Sequence, residues 1–261
     1  MGLFDFLTKK QAAAQPTKTI PANRPEADIS KTYIVAQLFK TSREERDEKW
    51  RQQFYENVAT ASFACATPQV LTGPDGFPYF ILRTPKENKP FESFCIKNMA
   101  EDFLMDRGWG IVFNPSEGGA TDWVFTHGDI VNLQLNNHFF SPPDEAAVED
   151  IKFTKNVGVT TKEEQVMVAQ PSDSYLPRPT RHALKIFLQS KGIKKPKLMM
   201  LSSINGEKII RKLVFNIDPK NYPVVSKLDH LMQQVGWFLP NDYIIIPLPA
   251  NSELAKGFND M

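Results

Sequence analysis

The chain has 261 residues, 41% of them hydrophobic, and a formal net charge of +1. This hydrophobic content excludes a wholly disordered chain, and the absence of any run of about 18 apolar residues argues against a transmembrane helix. Two cysteines cannot build a disulfide framework, and the first ten residues lack the pattern of a secretory signal. We therefore expect a cytoplasmic globular protein of one large domain or two ordinary ones.

The charges are distributed unevenly along the chain. Residues 31–150 carry 11 basic and 18 acidic side chains, a net charge of −7, whereas residues 151–261 carry 16 and 9, a net charge of +7. Such asymmetry favours two domains. We expect a flexible tail over residues 1–30 and domains over 31–150 and 151–261. The boundary is set near Asp150, because the acidic stretch around it offers few apolar contacts.

The tail begins with the apolar sequence MGLFDFL. This stretch fits either a frayed end or a short membrane-skimming or partner-docking helix. Residues 33–39 fit a strand or a helix. The spacing of apolar residues predicts a helix over 43–60, and the composition predicts strands over 62–66 and 77–84.

A compact helix–strand–loop–strand–helix unit is predicted over residues 93–133. Ser93 is a candidate N-cap for a helix whose apolar residues recur at 3.6-residue spacing and which ends at Gly108. Two short strands follow, at 109–113 and 123–125. Thr126 then caps a second helix.

The second half predicts the element order β-α-β-β-α-β. Its strands fall at 165–169, 197–203, 209–217 and 243–247, and its helices at 179–189 and 224–235. Asn205-Gly206 is a strong signal for a two-residue hairpin turn. The predicted fold class is α+β, with an N-terminal mixed α/β sandwich and a C-terminal ferredoxin-like βαββαβ domain.

Four stretches, two in each half of the chain, resemble the SseB family, named for enhanced serine sensitivity. GWGIVFNP, a loop and DWVFTHGDIVNL resemble its N-terminal domain; VMVAQPSDSYLPRPTRHAL and DYIIIPLPANSELAKGF resemble its C-terminal domain. The resemblance covers roughly residues 45–261. It implies the two-domain architecture, and it provides no catalytic residues to transfer.

The candidates for enzymatic chemistry are few. Cys95 and His127 suggest a thiol–imidazole site, and hence a weak hydrolase or a sulfur-handling enzyme as an alternative function. Neither Cys95 nor Cys65 lies in a C-x-x-C pair, and an inert packed cysteine is the favoured interpretation. No zinc-type histidine spacing occurs, so we expect no metal and no cofactor.

Two basic features suggest binding. Arg178, Thr180 and Arg181 open a predicted helix and form an anion-binding candidate, because helix N-termini attract phosphate. A further cluster, Lys191, Lys194, Lys195 and Lys197, raises the possibility of RNA binding. Nucleic acid is disfavoured, because the corresponding strand has a lone Phe215 rather than a set of stacking aromatics.

We expect a non-catalytic adaptor or regulator that binds an unidentified protein partner, and a homo-oligomer is the other assembly considered. Apolar residues near the domain junction are the candidates for such contacts: Phe139, Phe140, Leu248, Leu254 and Phe258. For the two phenylalanines, completion of the N-terminal core is an equally good interpretation.

Overall fold

The computed structural model describes residues 26–86, 88–141, 166–205, 208–249 and 251–261. The chain divides into two compact units, Met1–Phe139 and Phe140–Met261, each with one mixed sheet and helices. The α+β class is thus confirmed. The boundary expected near Asp150 lies outside the described residues. In the described part of the chain, no helix has the length and apolar character needed to span a membrane.

The N-terminal unit opens with two helices, each capped by an aspartate. Helix α1 (Ile29–Leu38) begins after Asp28, whose carboxylate accepts bonds from the Ser30 and Lys31 amides. This finding resolves the strand-or-helix ambiguity of that segment. Helix α2 (Glu48–Val58) begins after Asp47, later than predicted, because residues 43–45 form a separate 3₁₀ turn.

The remaining elements of this unit are two pairs of strands, each followed by a helix. They are β1 (Ala64–Thr72), β2 (Pro78–Arg83), helix α3, β3 (Gly110–Phe113), β4 (Trp123–Phe125) and α4 (His127–Asn136). Helix α3 has three consecutive segments, α-helical at Ile96–Met99, π-helical at Ala100–Leu104 and α-helical at Met105–Arg107. The sheet order is β1-β2-β3-β4, and β2 and β3 are parallel, because α3 returns the chain between them.

The predicted ends of these helices are partly correct. Gly108 has φ 63°, the left-handed conformation expected of a terminating glycine. Thr126 and Asp129 form a complete capping box on α4. Ser93 is not the N-cap of α3. Cys95 occupies that position, and the Ser93 hydroxyl instead bonds the hydroxyl of Ser62.

Aromatic rings fill the core of the N-terminal unit. Phe54 of α2 contacts Phe113 of β3 and stacks on Phe125 of β4. Phe125 in turn stacks on Phe139, with ring centroids 4.1 Å apart and planes 11° from parallel. At Gly110 an added Cβ would lie 2.5 Å from the Phe125 carbonyl oxygen, so the close approach of β3 to β4 requires a glycine there.

The C-terminal unit has the predicted element order and one additional short strand. Its elements are β5 (Met167–Ala169), α5 (Arg178–Ser190), β6 (Lys197–Asn205), β7 (Lys208–Phe215), α6 (Val225–Gly236), β8 (Ile244–Pro247) and β9 (Asn259–Asp260). Strands β6 and β7 pair from Leu198↔Phe215 to Asn205↔Lys208. The two-residue connection between them, residues 206–207, lies outside the described residues.

The predicted ferredoxin-like arrangement is wrong. A split βαβ unit places another strand between the two strands that a helix joins. Here β5 and β6 are antiparallel neighbours, and β7 and β8 are parallel neighbours, so the order is β5-β6-β7-β8. Element order does not determine which edges pair: β7 fills one edge of β6, and the short β5 and β9 share the other.

Both faces of this sheet carry apolar side chains. Met200 of β6 pairs with Leu213 of β7, and Leu213 pairs with Ile245 of β8, so these three side chains lie on one face. Ile245 lies beside Gly236 of α6, so we call this the helix face. On the opposite face, Met199 and Val214 pack against the closing segment of the chain, and we call this the tail face.

Candidate functional site

The two arginines of the predicted anion-binding site already pair with a carboxylate of the chain itself, that of Asp173. The Arg178 Nε and one Asp173 carboxylate oxygen are 2.8 Å apart, and the Arg181 Nη2 lies 2.8 Å from the other. The structure therefore brings the predicted residues together at the start of α5 and adds Asp173, which sequence reasoning missed. The sequence signal for this contact was the position of Asp173, only five residues before Arg178. An external anion would have to compete with this carboxylate.

Arg181 and Thr180 are further occupied by the fold. The Arg181 guanidinium donates to the Leu176 carbonyl oxygen at 2.9 Å and to that of Pro171 at 3.4 Å. Thr180 is fully buried. Only Arg178, whose side chain is 84% exposed, faces solvent. The geometry thus favours a structural role for Arg181, that of holding the loop that precedes α5.

Cys95 and His127 are both buried and bond different segments. The Cys95 thiol donates to the Ala59 carbonyl oxygen at 3.4 Å, whereas His127 interacts with the Trp109 backbone. Burial lowers the pKa of His127 from its ordinary 6.5 to about 4, against the opposing effect of the Trp109 bond. The imidazole is therefore neutral at physiological pH. Neither side chain is presented to a substrate in solution.

The lysine cluster and its neighbouring strand do not form a base-stacking surface. Phe215 is fully buried, so it offers no ring to a nucleobase. Lys191 lies over the Phe187 ring, with the ammonium 5.2 Å from the centroid. Lys197 lies 3.7 Å from the carboxylate of Asp260. These contacts favour a local structural role for Lys191 and Lys197.

The interface candidates divide between core and surface. Phe139 is 2% exposed and belongs to the N-terminal core, whereas Phe140 is 50% exposed. Leu248 and Phe258 are buried on the tail face, with Leu254 packed beside them. Among these five residues, Phe140 is the one with a large exposed apolar side chain. The partner contact predicted for them stays a prediction.

A different set of apolar residues is exposed on the helix face, and sequence reasoning missed it. Met167, Ile204 and Ile209 are 60%, 54% and 55% exposed. Ile204 pairs directly with Ile209, and Met167 pairs with Ser202, two residues along the same strand. Because side chains alternate along a strand, all three lie on one face. We call them the exposed cluster.

A polar and aromatic group borders the exposed cluster. Arg211 pairs with Ser202 and so shares the helix face; its guanidinium lies 5.9 Å from the centre of the Tyr175 ring. Tyr175 stacks on Tyr243 at 4.4 Å, and the Tyr243 hydroxyl donates to the Tyr175 carbonyl. Burial, together with the nearby charge of Asp242, raises the pKa of Tyr175 to about 12. The surface thus combines aliphatic, aromatic and cationic groups.

Comparisons with known proteins leave the surface to be interpreted from its own geometry. No family model, no curated protein and no solved structure matches the chain. Among the described residues, no group of three or more His, Cys, Asp or Glu side chains is placed to hold a metal ion.

Proposed function

We propose that this chain is a non-catalytic, protein-binding adaptor or regulator of the cytoplasm, with an SseB-like two-domain organisation. The observation that carries the proposal is the exposed cluster: Met167, Ile204 and Ile209 share one face of a regular sheet, and each is more than half exposed. Exposed apolar side chains that adjoin one another are typical of interaction surfaces, whereas single ones are ordinary.

The chemistry of the cluster supports a proposal about what the partner offers. Burying one large aliphatic side chain contributes about 1.5–3 kcal/mol, so three adjacent ones can anchor a contact. Tyrosine and arginine, found here as Tyr175 and Arg211, are enriched at binding hot spots. We infer a protein segment that offers apolar side chains to the cluster and a carboxylate to Arg211.

Enzymatic function has less support. The thiol and imidazole candidates, Cys95 and His127, are 3% and 0% exposed. A nucleophile and a general base must both reach the substrate. Both side chains instead bond to backbone groups of the core, Cys95 to Ala59 and His127 to Trp109.

The proposal is tested with the double variant Ile204→Ser/Ile209→Ser. Cross-linked partners of the wild-type chain are identified from the host, and one is purified for calorimetric titration against both proteins. The loss of two apolar anchors should raise the dissociation constant by about 100-fold or more.

Val225→Ser is the matched control, because Val225 is 63% exposed in the same unit but lies at the start of α6. It should leave the dissociation constant unchanged. Equal affinities for the wild type and the double variant, or an equal loss with Val225→Ser, would overturn the assignment of the surface.

A further inference from the structure

The closing segment of the chain, residues 251–261, lies across the tail face of the C-terminal sheet. We call it the strap. Leu254, Ala255 and Phe258 of the strap pack on Met199, Leu201, Val214 and Ile246 of the sheet, beside Leu248. Phe258 is 7% exposed, so it is the most deeply placed of the strap's apolar anchors. The strap thus covers an apolar surface that the sheet would otherwise expose.

Backbone contacts align the strap with the edge of β6. Asn259 and Asp260 form the two-residue strand β9, antiparallel to Lys197 and Leu198. Strand β5 pairs with β6 further along, at residues 200–202, so the two short strands occupy one edge in succession. Gln170 of the segment after β5 donates to the Gly257 carbonyl at 3.0 Å. We call the apolar surface beneath the strap, together with the edge of β6 that pairs with β9, the groove.

The middle of the strap approaches the sheet so closely that it requires a residue without a side chain. A Cβ on Gly257 would lie 2.3 Å from the Val168 Cγ1 atom and 3.1 Å from the Met199 sulfur. Any side chain at this position would have to displace these groups. The groove consequently selects glycine immediately before the aromatic anchor.

The attachment of the strap is weak compared with that of its neighbours. Its ladder has two residue pairs, against eight between β6 and β7. Lys197 and Asp260 form an ion pair in which the side chains are 40% and 81% exposed, respectively. Exposed ion pairs contribute little to stability. The Lys185 ammonium holds the Met261 carbonyl oxygen at 2.7 Å. A segment that few backbone pairs hold to a sheet opens before the rest of a domain unfolds.

We propose that the strap is a releasable internal ligand, and that the groove beneath it binds an extended peptide of the same chemistry. That peptide has an aliphatic residue at the position of Leu254, glycine at that of Gly257, an aromatic ring at that of Phe258 and a carboxylate facing Lys197. Main-chain pairing with β6 supplies affinity, and the anchors supply specificity. The groove lies on the opposite face from the exposed cluster, so this inference is independent of what the cluster binds.

Hydrogen exchange of the wild-type chain tests release directly. The amides of residues 253–260 should exchange at least about 100-fold faster than those of the β6–β7 ladder, because they open locally. Equal protection of the strap and the ladder would show that the strap opens only with global unfolding and would overturn the proposal.

Peptide binding tests the groove. A fluorescein-labelled peptide of residues 248–261 is titrated by anisotropy into the wild type and into Phe258→Ser. The variant should bind at least about 10-fold more tightly, because its own strap competes less well. The control Phe140→Ser removes an exposed ring from outside the strap and should match the wild type. A peptide with valine at the position of Gly257 should not bind.

A locked variant keeps the test decisive if Phe258→Ser is poorly folded. Leu198 and Asn259 are cross-strand partners, so Leu198→Cys/Asn259→Cys can close the strap with a disulfide. The oxidised protein should lose peptide binding, and reduction should restore it. Unchanged binding on oxidation, or equal affinity of the wild type and a well-folded Phe258→Ser, would contradict the proposal.

Discussion

The two units of this protein close their cores by different means. In the N-terminal unit, rings from α2, β3 and β4 contact one another, and Phe139 completes the stack. In the C-terminal unit, the sheet is apolar on both faces, a short strap covers part of the tail face, and Ile204 and Ile209 remain exposed. The difference shows that apolar character alone does not identify a core. What matters is whether another element covers the residue.

Adjacent phenylalanines give the largest expected contrast. Phe139→Ala should lower the free energy of unfolding by about 3–5 kcal/mol, because it leaves a cavity beside Phe125. Phe140→Ala should change it by less than about 0.5 kcal/mol, as for most surface substitutions. Urea unfolding followed by tryptophan fluorescence measures both, since Trp50, Trp109 and Trp123 lie in the N-terminal unit and Trp237 lies in the C-terminal unit, which includes Phe140. Similar losses for the two variants would refute the assignment of Phe139 to the core.

Acid should destabilise the N-terminal unit through His127. The unfolded chain protonates this residue near pH 6.5, whereas the folded protein holds it neutral down to about pH 4. The unfolded state therefore binds more protons in this window, and stability falls as the pH drops from 6.5 to 4. The loss amounts to about 3 kcal/mol.

The comparison of the wild type with His127→Gln isolates this effect. Burial also raises the pKa of Asp129, which acts in the opposite direction, but Asp129 is present in both proteins. Urea unfolding between pH 4 and 7 should show a shallower loss of stability in the variant. Parallel pH profiles would exclude His127 as the source.

Glycine substitutions compare a closely packed position with an open one. Gly257→Ala should lower the stability of the C-terminal unit by about 1–3 kcal/mol, because its Cβ collides with Val168. Gly118→Ala is the control, since the nearest atom to its Cβ, the Ser116 hydroxyl oxygen, is 4.0 Å away. Hydrogen exchange measures both effects, in β6 and the strap for Gly257→Ala and in β3 and β4, which flank residue 118, for Gly118→Ala. Undiminished protection in Gly257→Ala would mean that the strap lies further from the sheet.

The arginines of α5 give the smallest contrast. Arg178→Ala removes an exposed ion pair with Asp173 and should cost less than about 1 kcal/mol. Arg181→Ala leaves the Leu176 carbonyl without this donor and should cost about 1–3 kcal/mol. Thermal unfolding ranks the two variants. A larger loss for Arg178→Ala would reverse the roles given to them.

Local chemistry made much of the fold predictable from the sequence. Gly108 ends α3 and Thr126 caps α4 as expected, because both effects depend on neighbouring residues. The hairpin signal at Asn205-Gly206 predicted that the flanking strands pair, and β6 and β7 do so in antiparallel register, with Asn205 as the last paired residue of β6. Ser93 shows the limit: its hydroxyl had a tertiary partner, Ser62, 31 positions away, and no local rule could weigh that competition.

Strand order and surface exposure were not predictable from local patterns. The apolar composition of β5, β6 and β7 is compatible with more than one strand order. The prediction therefore depended on element order alone, which suggested a ferredoxin-like sheet that does not form. The alternation that predicts a strand also says nothing about which end of it a helix covers. Leu248 and Phe258 were therefore expected at an interface but are buried, whereas Met167, Ile204 and Ile209 form the exposed cluster that was not expected.

The long ladder between β6 and β7 has a consequence for the order of folding. A connection of two residues closes with a small loss of chain entropy, whereas α6 and its flanking segments separate β7 from β8. Hairpins form within about 1–10 μs. We expect the β6–β7 hairpin to be the nucleus of the C-terminal unit. Strands β5, β8 and β9 then join edges that this hairpin has already made.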